Sequence, residues 1–115
     1  MDQAAARQAA ELLWQTWTVE GLIDALPEHV RPTSRAEGYV IQAAVAQVSK
    51  QPTVGWKIAA TSKAGQSHLQ VDGPLAGRLL GDRVQPNGAK IKLGLNRMRV
   101  AEAEFCFRMG RDLVA

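Results

Sequence analysis

Along this 115-residue chain the hydrophobic positions change period near residue 50. Before that point they recur at helical spacing; after it they alternate in twos between turn signals. Residues 2–17 are dominated by Ala, Leu, Gln and Glu, all strong helix formers, and Leu12, Leu13 and Trp17 are the predicted buried stripe. Pro27 and Pro32 interrupt the next stretch, so a short helix or turn is predicted from Val19 to Leu26 and then a loop. Ser34-Arg35-Ala36-Glu37 has the S-x-x-E form, in which a hydroxyl and a carboxylate satisfy free N–H groups at a helix start. It opens a second predicted helix, ending near Lys50, whose face is Tyr39, Val40, Ala43, Ala44, Gln47 and Val48.

After Gln51-Pro52, Val54, Trp56 and Ile58 alternate with Gly55, Lys57 and Ala59, the pattern of a short strand in which Lys57 points away from Trp56. A lysine there is costly unless its ammonium reaches solvent, an anion or a metal-bound ligand. Snorkelling to the surface is the commoner outcome. Residues 61–81 are rich in small and polar types and predict a loop with a short helix near Lys63 to Leu69, a kind of segment that often covers sites. The turn signal Val84 to Gly88 leads into a predicted strand at Lys90 to Leu93. Gly94-Leu95-Asn96 leads on to another at Arg99 to Phe107. Helices followed by strands predict an α+β fold.

The last of these strands carries the main chemical clue. Side chains alternate across a strand and rise about 3.3 Å per residue, so Glu102 and Glu104 share a face with α-carbons about 6.6 Å apart. Two anions held that close favour a cation between them. Ala101, Ala103, Phe105, Phe107 and Met109 form an apolar row on the other face, which places the carboxylates toward a cavity and that row toward a core. Against this stands the ordinary case, a sheet with one polar face in which a Glu-x-Glu pair simply meets water. The carboxylate face also reads Val100, Cys106 and Arg108, and a thiol prefers burial. No His flanks Cys106, and a buried thiol beside anions has a raised pKa, so packing is its expected role. His68, alone on a small-residue helix, is assigned none.

Composition narrows the classes. A hydrophobic content of 46% is ordinary for one modest domain. The single cysteine excludes an internal disulfide framework and fits a reducing compartment. MDQAAARQAAELLW has neither signal-peptide nor membrane-span character, so a cytoplasmic location with no membrane partner is expected. The net charge of +3 is dispersed; Lys90, Lys92, Arg97 and Arg99 form the densest cluster, with no aromatic platform beside it, so no nucleic-acid partner is expected.

GWKIAATSKAGQ at Gly55 to Gln66, LQVDGPLAGRLL at Leu69 to Leu80 and RVAEAEFCFRMGRDL at Arg99 to Leu113 together resemble the 2-keto-4-pentenoate hydratase group of the fumarylacetoacetate hydrolase superfamily. YVIQAAV at Tyr39 to Val45 extends the resemblance over nearly the whole chain. The resemblance implies an N-terminal helical cap over residues 1–53 and, over residues 54–115, the start of a mixed β-roll, incomplete in this chain. It implies Mg²⁺ or Mn²⁺ held by three acidic side chains, two of them matching Glu102 and Glu104; the third lies further along family members. The implied reaction is metal-dependent addition of water to a 2-hydroxy-dienoate or 2-oxo-alkenoate, giving a 4-hydroxy-2-oxo acid.

In that reading the partner is a small 2-oxo acid, and the full-length protein is a homo-oligomer. Lys57 matches the family's strand lysine, which pairs with a substrate carboxylate or relays a proton if burial lowers its pKa. Thr61 and Ser62 match pocket-lining positions; capping a helix is an equal reading for Ser62. Asp72 falls in the V-D-x-P segment, where closing a turn is sufficient explanation. Many hydratases of the group carry an acid just after that proline, where this chain has Leu75. The reaction type therefore stays open between hydratase and vinylogous 2-oxo-acid decarboxylase, since a scaffold does not settle chemistry. The related hydrolases use a His–Glu pair, and adjacent Glu28 and His29 match it poorly. A non-catalytic remnant with unpaired sheet edges is the reading of a different class.

Overall fold

The two helices that the first fifty residues predict form the core of the molecule. The computed structural model describes residues 1–94, 96 and 98–112. Leu95 of the predicted turn, Arg97 of the basic cluster and Leu113 of the last motif lie outside the described residues. Helix α1 spans Gln3–Thr18 and helix α2 spans Arg35–Ser49. Asp2 caps α1 by accepting from the Ala5 N–H at 2.7 Å, and Arg7 and Glu11 pair one turn apart at 2.8 Å. Ser34 caps α2 as its motif predicts, accepting from the Glu37 N–H at 3.2 Å. The Glu37 carboxylate reaches back one residue further than in the usual box, accepting from the Thr33 N–H at 2.7 Å and its hydroxyl at 2.8 Å, and pairs with the N-terminal ammonium. The ammonium, then these two donors, holds the Glu37 carboxyl down to about 2.

The buried stripes are displaced from the predicted ones. On α1 the buried residues are Ala6, Ala9 and Ala10; Leu13 is half-buried and Trp17 is largely exposed. On α2, Ile41 is buried, with Ala44, Val45 and Val48 packed beside it, the i, i+3, i+4, i+7 pattern of one helix face. Three alanines on α1 let the helix axes approach closely. A 3-10 turn at Glu28–Val30 inserts Val30, 1% exposed, into their interface. No helix occurs from Val19 to Leu26: α1 ends at Val19, Glu20 adopts φ +53°, and the Gly21 N–H returns to the Thr16 carbonyl at 2.8 Å.

Strand β1, Thr53–Ala59, pairs antiparallel with β2, Leu75–Leu80, and helix α3, Lys63–His68, lies in the connection. The second strand corrects the expectation of loop over that stretch. Its alternation is hidden because Ala76 and Gly77 give no large side chain to either face. The register sets Trp56 opposite Arg78, Lys57 opposite Gly77 and Ala59 opposite Leu75, with an irregularity between Thr53 and Gly55. Arg78 lies over the Trp56 ring at 4.7 Å and donates to Gln42 of α2 at 2.9 Å. Gln42 donates to the Ala76 carbonyl and the Tyr39 hydroxyl accepts from the Ala76 N–H, so α2 side chains satisfy both backbone groups of one β2 residue. Leu80 is buried, whereas Val54, Trp56 and Ile58 stay about half-exposed.

The two later strands are corrected more sharply. Neither Lys90 to Leu93 nor Arg99 to Phe107 is a strand, because among the described residues neither finds a ladder partner. The apolar row therefore has no core to enter: Phe105 is 96% and Phe107 85% exposed, and Ala101, Ala103 and Met109 are exposed as well. Cys106 is exposed, against the expectation of packing. The mixture of helices and a two-stranded sheet is compatible with the α+β class. Among the described residues no helix is long and apolar enough to cross a membrane.

Candidate functional site

Lys57 enters the site from the middle of β1. Strand alternation turns it to the face opposite Trp56, and across the ladder stands Gly77, which offers no side chain to compete for space. The two carboxylates arrive from a segment 45 and more residues later. Before them, the Asn96 side-chain oxygen accepts from the Met98 N–H at 3.0 Å and the Arg99 N–H at 3.4 Å, a local turn that the short polar side chain favours. Arg99 adopts φ +45°, completing the change of direction. The following residues bring Glu102 Oε2 to 3.1 Å from Lys57 Nζ and pair Glu104 Oε1 with the same ammonium.

One cation thus closes on two carboxylates, and that cation is the protein's own Lys57 ammonium. All three side chains are 40–60% exposed, so water screens the pairs and their contribution to stability is small. Donating to Glu104 and then to Glu102 holds the pKa of the Lys57 ammonium above its ordinary range. The lowered value that a proton relay requires is not present in this arrangement. Lys57, Asn96, Met98, Val100, Glu102 and Glu104 line an open pocket of about 380 Å³. Sequence reasoning missed Asn96 and Met98 as pocket residues; the turn-forming tendency of Asn was the available signal.

Thr61 and Ser62 do not line this pocket. Ala60 turns the chain at the end of β1 with φ +54°, and the Ser62 hydroxyl accepts from the Gly65 N–H at 3.1 Å as the N-cap of α3. Buried Gln66 locks that corner by donating to the Ala60 carbonyl at 3.0 Å. Asp72 pairs with Arg35 at the start of α2 and so ties the loop to the helix. Leu75 begins β2, half-buried. Both histidines, His29 and His68, are exposed and outside the pocket. Among the described residues no group of three or more His, Cys, Asp and Glu side chains is gathered closely enough to hold a metal ion.

Over 112 residues, 95% of its length, the chain is 32% identical to the TodF product hydratase of Pseudomonas putida. The chain spans 42% of that protein's length. No protein-family model matches the chain, and no solved structure matches it. The chain is therefore related in sequence to a hydratase.

Proposed function

We propose that this chain is the front part of a metal-dependent hydratase that adds water to a 2-hydroxy-dienoate or 2-oxo-alkenoate. The observation that carries the reading is the convergence of Lys57, Glu102 and Glu104 on one pocket from widely separated parts of the chain. Sequence similarity to a hydratase over almost the whole chain supports the same reaction class. Residues 1–53 would be a helical cap and residues 54–115 the opening of a β-roll of the fumarylacetoacetate hydrolase type. The full-length protein would act as a cytoplasmic homo-oligomer.

The donor set suits a hard divalent cation. Mg²⁺ typically takes one or two protein carboxylates and keeps its remaining positions for water and substrate oxygens. Glu102 and Glu104 would hold Mg²⁺ or Mn²⁺, with a third acidic ligand from sequence beyond Ala115. When bound, such a cation supplies Lewis-acid polarisation of a 2-oxo group. Lys57 would pair with the substrate carboxylate, orienting the 2-oxo acid in the pocket and offsetting its charge. Thr61 would act in substrate binding at the end of β1. Ser62 would do so as well, through whatever its capping hydrogen bond leaves free.

Leu75 supports a second reading. An apolar residue just after Pro74 provides no acid–base group there, and hydration needs both protonation of carbon and activation of water. Vinylogous decarboxylation on the same scaffold needs no activated water. A dienoate assay with Mg²⁺ separates the two: the account expects loss of the diene absorbance with a 4-hydroxy-2-oxo acid as product. Release of CO₂ from a 2-oxo-enedioate without hydration would establish the decarboxylase instead.

A further inference from the structure

We propose that Lys57 is the built-in counter-ion of the Glu102–Glu104 pair, so that its ammonium and an incoming divalent cation compete for one place between the carboxylates. The proposal rests on the reading of that pair as metal ligands and adds what governs their loading. Both carboxylates engage a single Nζ atom, Glu102 at 3.1 Å and Glu104 by an ion pair and hydrogen bond. An ammonium carries three donors and no acceptor, so two of its N–H directions are spent on the oxygens that a metal ion would use.

Electrostatics forbids the two cations from sharing the place. Like charges a few ångströms apart repel, and the repulsion grows with the charge of the metal ion. Lys57 has room to leave: its side chain is 40% exposed, and Gly77 across the ladder presents no side chain to obstruct it. A displaced ammonium stays tethered to the strand at the pocket rim. There it attracts an anionic ligand, which is the group a 2-oxo acid brings with its chelating carboxylate. Metal loading and anion binding are then coupled through one side chain. Any such coupling is reciprocal, the anion strengthening metal binding by the factor with which metal strengthens anion binding.

The test measures Mn²⁺ affinity by the electron paramagnetic resonance signal of the free ion, with and without oxalate, for the wild-type chain, Lys57→Met and Lys57→Arg. Methionine keeps an unbranched stem without the charge; Lys57→Gln replaces it if that variant fails to fold. Two exposed ion pairs predict Mn²⁺ binding to Lys57→Met roughly 2- to 30-fold tighter than to wild type. Lys57→Arg should stay near the wild-type value, and oxalate should strengthen Mn²⁺ binding more in wild type than in Lys57→Met. Mn²⁺ affinity in Lys57→Met no higher than in wild type, including no binding by either, overturns the proposal. If that equality is seen while Glu102→Gln still weakens binding, the metal-site reading survives. If Glu102→Gln and Glu104→Gln change nothing, that reading fails too.

Discussion

Replacing Glu102 and Glu104 together by Gln should leave a folded chain that no longer binds Mn²⁺. Both side chains are more than half exposed, and neither backbone lies in a helix or ladder, so the exchange removes charge without disturbing packing. Substitutions in the outer shell of metal sites alone cost 10- to 100-fold in affinity, so loss of both ligating charges should cost more than about 100-fold. The Lys57 ammonium would lose both partners at once, and its raised pKa would relax toward the ordinary lysine range. Calorimetric titration of Mn²⁺ into the double variant checks the first effect. Affinity equal to wild type would remove the carboxylates from any metal role.

Ile41→Ala should cost about 2–5 kcal/mol of folding stability, the range for large-to-small changes in cores. The upper part of that range is expected because the site cannot collapse. Ile41 packs in a cluster with Ala6, Ala9, Ala10 and Val30, and the three alanines have no side-chain freedom with which to fill a void. Such a loss is a large share of the 5–15 kcal/mol typical of a whole domain. Urea unfolding monitored by helical circular dichroism measures it. A change below about 1 kcal/mol would show that the α1–α2 interface does not set the stability, contrary to the packing described.

The helix starts were legible because capping is local chemistry: Ser34 and Glu37 lie within one turn of the N–H groups they satisfy. The same holds for Ser62, for which capping and pocket lining were equal expectations; its hydroxyl makes the cap, with Gly65. Which helix face turns inward was less legible. Tyr39 is part of the predicted stripe, yet it and Gln42 reach β2, and the position they take was set by a strand that the sequence hid behind Ala76 and Gly77. Propensity could not reveal β2, since its only signal was a ladder with residues some twenty positions earlier.

The candidate site divides in the same way. The face of Lys57 came from alternation within one strand, and the kinship of Glu102 with Glu104 from their spacing. Their meeting with Lys57 depends on a change of direction at Asn96 and Arg99, which period and composition do not encode. The strand expected at Arg99 to Phe107 failed for a physical reason: alternation prepares a segment for a sheet, but backbone N–H and C=O groups need a neighbour to form one. Phe105 and Phe107 remain written for burial and stand in water.

The measurement that bears most directly on the site is Mn²⁺ binding to the wild-type chain, by calorimetry, with and without oxalate as a two-oxygen mimic of a 2-oxo acid. Two carboxylates and a displaceable ammonium predict measurable Mn²⁺ binding that oxalate strengthens. A folded chain whose Mn²⁺ binding is absent, or unaffected by oxalate, would contradict the assignment of Lys57, Glu102 and Glu104 to a metal and 2-oxo-acid site.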